Sequence, residues 1–169
     1  MDIMFKICEE EGVDLVIMSE PNKKKVAEGG WLVDTKTDVL IKVINNKMKV
    51  RKTGVGPGYV WIELDSLVLY SCYIAPNIDM VSFQTYLNTL RSDMKKHVKQ
   101  IVVGGDFNSK SYLWGSNVED KRGQALSEWM AEDDLKVHNT GEEPTFVRGR
   151  AESHIDVTFS AKTYRTGEF

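Results

Sequence analysis

The stretch Ile101-Val102-Val103-Gly104-Gly105-Asp106-Phe107-Asn108 constrains the fold of this chain more than any other. Its apolar start reads as a buried strand. The two glycines let the backbone turn tightly and allow another chain or a ligand to approach closely. Asp106 and Asn108 are two apart, so on an extended backbone they share a side. A carboxylate and an amide at the mouth of a strand suit a site that handles phosphate with a metal and an activated water. The same residues also suit a strand ending in a Gly-Asp turn, because both residue types dominate turns for local reasons.

Elements on either side set the context. Residues 2–11 read as a helix, with Ile3, Met4, Ile7 and Cys8 at helical spacing and Gly12 as its stop. Val13 to Met18 reads as a strand that ends at Ser19-Glu20-Pro21. Asn22 to Gly30 reads as a polar loop, and its three lysines suit either a solvated surface or a phosphate backbone near Glu20. Trp31 to Val33, Asp38 to Val43 and Val50-Arg51 are short strand candidates, and Gly54 to Gly58 a loop. Tyr59 to Leu64 and Leu67 to Ile74 alternate with period two around Asp65-Ser66, as in a hairpin. Val81 to His97 reads as a helix whose apolar face carries Val81, Tyr86, Leu87, Leu90, Met94 and Val98. After Asn108 the pattern predicts an irregular stretch over 109–120 and a helix from Arg122 to Glu132. Short strands follow at 135–138, 145–147 and 155–159, with a turn at 139–143 and a basic turn at Arg148-Gly149-Arg150. Short strands interleaved with a few helices indicate an α+β domain with two sheets packed face to face.

Composition bounds the partners. The 169 residues fit one domain. A formal net charge of −3 argues against nucleic-acid binding through bulk charge, leaving room for a local basic patch. No apolar run is long enough for a transmembrane helix, and the mixed charges of the first eleven residues do not make a signal peptide. Two cysteines form neither a disulfide framework nor zinc spacing. The expected setting is a reducing one, nucleus or cytoplasm, with no membrane and no small-molecule cofactor.

Polar groups gather at strand ends: Glu20, Tyr73 before Pro76, Asp106 with Asn108, and Asp156 beside Ile155. Strands ending at one edge of a sandwich would bring them to one cleft. There a carboxylate can hold Mg²⁺, which prefers oxygen ligands and retains waters. A second can deprotonate water, and an amide and a phenol can donate hydrogen bonds to charge developing on phosphorus. Taken singly, Glu20 also reads as a surface acid before a turn, and Asp156 as a polar strand position.

Gly104-Gly105-Asp106-Phe107-Asn108, then Lys110, Trp114-Gly115, Arg122-Gly123, Asn139-Thr140-Gly141, Pro144-Thr145-Phe146 and Ser153-His154-Ile155-Asp156, together resemble the endonuclease/exonuclease/phosphatase superfamily. Within it, the chain resembles the apurinic-endonuclease-like domain of insect-type non-LTR (LINE) retrotransposons, from about Val13 to Phe159. The resemblance implies a four-layered α/β sandwich. It implies Mg²⁺-dependent phosphodiester cleavage (Mn²⁺ as an alternative ion), with DNA as the substrate. It also implies a downstream reverse transcriptase, primed from the nick in the target. By motif, Glu20 resembles the metal-binding glutamate, Tyr73 the tyrosine of a Y-x-x-P element and Asp106 the aspartate that positions or activates water. Asn108 resembles the asparagine that holds the scissile phosphate, and Asp156 the aspartate that orients a catalytic histidine. DNA contacts are expected from Lys110, Trp114, Arg122, Thr145, Arg148, Arg150 and His154, with His154 facing the cleft and His97 and His138 on the surface or in loops. The resemblance also implies that residues 1–169 are a fragment of the domain. The first strand with its asparagine and the last with a Ser-Asp-His histidine would lie outside it. Two other readings compete: an inactive truncated copy with residual DNA binding, and a phosphodiesterase or phosphatase acting on non-nucleic-acid phosphoesters.

Overall fold

The computed structural model describes residues 2–27, 29–139, 145–148 and 151–161. Helix α1 (Asp2–Glu10) leads into strand β1 (Leu15–Ser19), a one-turn helix α2 (Lys23–Val26), and strands β2 (Leu32–Val33) and β3 (Val39–Val43). Then come β4 (Lys52–Gly56), β5 (Tyr59–Glu63), β6 (Leu67–Tyr73), helix α3 (Met80–Met94) and β7 (Gln100–Asp106). A 3₁₀ turn (Tyr112–Trp114), helix α4 (Lys121–Glu132) and strands β8 (Lys136–Val137), β9 (Phe146–Arg148), β10 (Ala151–Ser153) and β11 (Asp156–Ala161) complete the order.

The strands form a three-stranded sheet, β1-β3-β2, a six-stranded mixed sheet, β4-β5-β6-β7-β11-β8, and the β9-β10 hairpin. Period-two alternation divides the large sheet cleanly. Val68, Tyr70, Cys72, Ile101, Val103, Val157 and Phe159 meet Phe83, Leu87, Leu90 and Met94 of α3 and Leu126, Trp129 and Met130 of α4. On the opposite face Val60, Ile62, Leu69 and Val102 pack against Val39, Ile41 and Ile17 of the small sheet. On the far side Phe5 of α1 stacks against Trp31 at 5.8 Å, and Cys8 is buried. The α+β class and the layered arrangement of two sheets flanked by helices are therefore as expected from the sequence.

Local departures have identifiable causes. Residues 22–30, expected as a loop, contain α2, because the Asn22 side chain accepts from the Lys24 and Lys25 amides and caps a single turn. Gly54 and Gly56, also expected in a loop, lie within β4. They pair with Trp61 and Tyr59, and a Cβ on either would enter the opposing ring. Aromatic rings thus cover the glycine backbone and make a strand from a glycine-rich sequence. Val81 and Val98 are exposed, and Phe83 takes the inward place expected of Val81. His97 is buried and stacks edge-on against Trp61 at 4.6 Å, which corrects its expected surface position. His138 is exposed and shares a 2.7 Å hydrogen bond with Ser160.

Two close backbone approaches fix the elements that carry the polar strand ends. A Cβ on Gly105 would lie 2.1 Å from the Cys72 carbonyl oxygen, and one on Gly123 would lie 1.7 Å from that of Lys110. Both obstacles are backbone, so neither can swing aside. Gly123→Ala and Gly105→Ala are each expected to destabilise the fold by about 3 kcal/mol, read as a lowered urea midpoint. An unchanged midpoint would mean the contacts relax freely.

Candidate active site

Strand register assembles the site. β6 runs parallel to β7 with Tyr73 opposite Asp106, and β11 runs antiparallel to β7 with Asp156 opposite Asp106. Three strands thus place a phenol and two carboxylates side by side at one end of the large sheet. Glu20 arrives from the small sheet, immediately after β1, where its amide donates to the Asp38 carbonyl at 2.8 Å. The Tyr73 hydroxyl donates to Glu20 Oε1 at 2.6 Å and joins the two sheets at the site. All four strand-end groups named from the sequence meet here.

Asn108 completes the group. Its amide N–H donates to Asp106 Oδ1 at 2.8 Å, and its Nδ2 donates to the Ile74 carbonyl at 3.1 Å. The second N–H of that side-chain amide is left to serve a ligand. Asn108 (φ 45°) and Glu20 (φ 49°) both adopt the left-handed conformation. Asparagine tolerates it, whereas glutamate is held there against its own preference.

Arg122 and Trp114 correct the sequence expectation. Arg122 is buried, its guanidinium donating to the carbonyls of Ala75, Pro76 and Phe107, each at 3.0 Å, and lying over the Phe83 ring. It braces the β6–α3 loop against the exit from β7, with its Nη groups turned to protein carbonyls, while its buried Nε has no partner among the described residues. Trp114 is 1% exposed and donates from Nε1 to the carbonyls of Ser109 and His154. His154 is itself buried, just ahead of β11 rather than on it, so the expected cleft-facing contact gives way to a packed ring. Thr145 is exposed, but its hydroxyl accepts from the Ile155 and Asp156 amides and holds the start of β11. Lys110 is half-buried beside the site. The backbone of Arg148 lies in β9; its side chain, Arg150 and most of the expected 139–143 turn lie outside the described residues. Asn139 is described, and its side chain bonds both the carbonyl of Asp156 and the amide of Thr158, extending the ladder along β11.

Sequence reasoning missed the structural work of Arg122. The available signal was its neighbour: a glycine inside a helix pattern marks close backbone approach, and Gly123 is where α4 meets Lys110.

Electrostatics follow from burial. Asp106 is 7% exposed, and its pKa is raised to about 6, chiefly by desolvation, with the charges of Asp156 and Glu20 adding to it. The Asn108 amide and Arg122 oppose that rise. Burial also raises Asp156, and Thr145 opposes it. Tyr73 is raised too, first by burial and then by Glu20, so its phenol stays protonated and acts as a donor. The donor set is all oxygen and its charge is negative, which fits a hard divalent cation. Among the described residues no three acidic, histidine or cysteine side chains converge as a ready-made metal cage.

A raised carboxyl pKa means that the folded state binds this proton more tightly than the unfolded state. Stability therefore falls as pH rises from the ordinary carboxylate range to about 6, and stays lower above it. Asp106→Asn keeps an acceptor for the Asn108 amide without the charge. In metal-free buffer at pH 7 it is expected to melt roughly 5 °C above the wild type, with the difference vanishing near pH 4. Equal melting temperatures at pH 7 would show that Asp106 carries no burial cost.

Comparison with known proteins places the fold. The profile of a family described as "endonuclease-reverse transcriptase" matches residues 67–166. The endonuclease domain of TRAS1, a telomere-specific non-LTR retrotransposon, superposes with a TM-score of 0.75 at 25% identity, covering 95% of this chain and 77% of that one. An AP endonuclease from Archaeoglobus fulgidus gives 0.68 at 11% identity, covering 95% and 80%. A mannosyl-6-phosphatase from Bacteroides thetaiotaomicron gives 0.69 at 11% identity, covering 94% and 75%. The last two likenesses speak to fold alone. No curated protein sequence matches the chain.

Proposed function

The chain belongs to the endonuclease-reverse transcriptase family, and from that premise we propose that it nicks DNA by metal-dependent hydrolysis of a phosphodiester bond. The observation that carries this reading is the register-fixed row Tyr73–Asp106–Asp156 with Glu20 bonded to Tyr73. A buried carboxylate with a raised pKa, next to two further acids and an amide donor, is what in-line attack by water on phosphorus requires.

Each residue has a distinct task. Asp106 accepts the proton of the attacking water, and its raised pKa makes it a better base near neutrality than an ordinary carboxylate. Asn108, already fixed through Ile74, donates its remaining N–H to a non-bridging phosphate oxygen. Tyr73 uses its single proton on Glu20, so it orients that carboxylate. Glu20 is the residue that would hold Mg²⁺, or Mn²⁺ in its place, and such an ion would supply positive charge for the phosphate. Asp156 stands against Asp106 and keeps the proton affinity of that base high. Lys110 supplies a cation for the neighbouring backbone phosphates. The family description joins the endonuclease to a reverse transcriptase, and a nick that exposes a 3′ end would give such an enzyme its primer. The setting for such chemistry is the nucleus, or the cytoplasm on the way to it. No helix among the described residues is long and apolar enough to cross a membrane.

Supercoiled plasmid incubated with the protein and Mg²⁺ is expected to relax to nicked circles, and chelation should abolish the reaction. Asp106→Ala should slow it by about 10³-fold. Undiminished nicking in Asp106→Ala would remove Asp106 from the mechanism. Phosphate release from inositol phosphates without nicking would move the substrate outside nucleic acid, and DNA binding without cleavage would mark an inactive copy.

The pH profile makes a separate prediction. Ionised Asp106 is the active form, so the single-turnover rate should fall about tenfold per pH unit below about 6 and level off above it. A flat profile from pH 5 to 7 would assign the base elsewhere.

A further inference from the structure

The turn between β2 and β3, residues 34–38, is built around a buried carboxylate that no step of the proposed hydrolysis uses. Asp34 is 3% exposed. Its Oδ1 accepts from the Asp38 amide at 2.6 Å and from the Val39 amide at 3.1 Å, and its Oδ2 accepts from the Lys36 amide at 3.3 Å. Its carbonyl accepts from the Thr37 amide at 3.1 Å. These bonds offset the cost of burying the charge. They also hold Thr37 at φ 58°, a left-handed conformation that a β-branched residue adopts only under constraint. From outside the turn, Lys23 Nζ donates to the Lys36 carbonyl at 2.6 Å and to the Asp38 carboxylate at 2.9 Å.

What this turn presents to the site is the Asp38 carbonyl. It accepts from the Glu20 amide at 2.8 Å, one step past the Ser19–Val39 end of the β1–β3 ladder. Glu20 is itself left-handed at φ 49°. Two constrained residues thus meet across a single hydrogen bond, Glu20 as the donor and Thr37 next to the acceptor. Such residues persist where their surroundings over-determine them, and they gather at functional sites. We propose that Asp34 is a positioning residue for Glu20. By fixing the Asp38 carbonyl, it holds the Glu20 backbone in the one conformation from which that carboxylate reaches across to the large sheet. The inference rests on the reading of Glu20 as the residue that would hold a divalent ion. Tyr73 steadies one carboxylate oxygen from the far end, and Asp34 steadies the same residue from its amide. With both ends held, the second carboxylate oxygen keeps a fixed direction, and residues that orient a ligand in this way govern how tightly a metal binds.

The test titrates the full chain with Mn²⁺ and follows the free ion by electron paramagnetic resonance. The wild type is expected to show a saturable site that Glu20→Gln weakens. Asp34→Ala should raise the half-saturating Mn²⁺ concentration about tenfold. Asp34→Asn keeps a carbonyl oxygen for the Asp38 and Val39 amides and should stay within about twofold of the wild type. Both variants remove the same charge, so a difference between them reports positioning alone. Nicking should follow the same split: Asp34→Ala needs more Mg²⁺ yet approaches the wild-type rate once Mg²⁺ is saturating. If Asp34→Ala shows no cooperative melt, Asp34→Ser takes its place, because its hydroxyl still accepts from a turn amide; a severalfold rise is then expected. A folded Ala or Ser variant that binds Mn²⁺ at the wild-type midpoint overturns the proposal, as does an Asn variant as weak as Ala. A wild-type chain without a Glu20-dependent Mn²⁺ site overturns the metal reading of Glu20 together with it.

Discussion

Everything at the site depends on β7 having a parallel neighbour on one side and an antiparallel neighbour on the other. That mixed ladder sets Tyr73 and Asp156 against opposite flanks of Asp106. Shifting either pairing by one residue would turn a functional side chain to the helix-packed face. The fold guards against such slips. Gly105 leaves room for the Cys72 carbonyl, the Phe107 amide bonds the Ile155 carbonyl, and the Ile74 amide bonds the Asp106 carbonyl. Arg122 then ties the chain leaving β6 to the chain leaving β7 with three hydrogen bonds from one side chain. A buried guanidinium is costly to desolvate, and its place here follows from having three carbonyls in a fork's reach.

The charge pattern follows from the same geometry. Asp106 is pressed between strands where little water reaches, with acids as neighbours in the sheet and across the sheet interface. Its nearest stabilisers are dipoles and one cation directed at other atoms. The site is therefore short of positive charge by construction. The unfavourable backbone at Glu20 belongs to this arrangement, because that carboxylate must reach across from a different sheet to meet Tyr73.

The sequence carried the centre of the site more legibly than its edges. Asp106, Asn108, Tyr73, Glu20 and Asp156 stood out because each ends or begins an apolar run, and strand ends of like polarity converge in a sandwich. The fold class followed from the same alternation. Position on a surface was harder to read. Arg122 and Trp114 carry groups that commonly touch nucleic acid, and nothing in one dimension distinguishes an arginine that binds phosphate from one that binds three backbone carbonyls. Val81 and Phe83 are two apart at the start of one helix, and capping by Asp79, not hydropathy, decides which turns inward. β4 was hidden because its glycines are complemented by rings in β5, a pairing that exists only after the strands meet. Residues 140–144, 149 and 150 lie outside the described structure, and the resemblance at those positions stands on sequence.

The ladder around β7 also has a kinetic consequence. Tyr73, Asp106 and Asp156 are 33 and 50 residues apart along the chain, and Glu20 is a further 53 residues before Tyr73. Contacts so distant in sequence form only after large loops have closed, and topologies of this kind fold slowly. No local segment contains even two of the four acid and phenol groups in register. A growing or partly folded chain therefore holds none of these groups together, and the row arrives with the completed sheet.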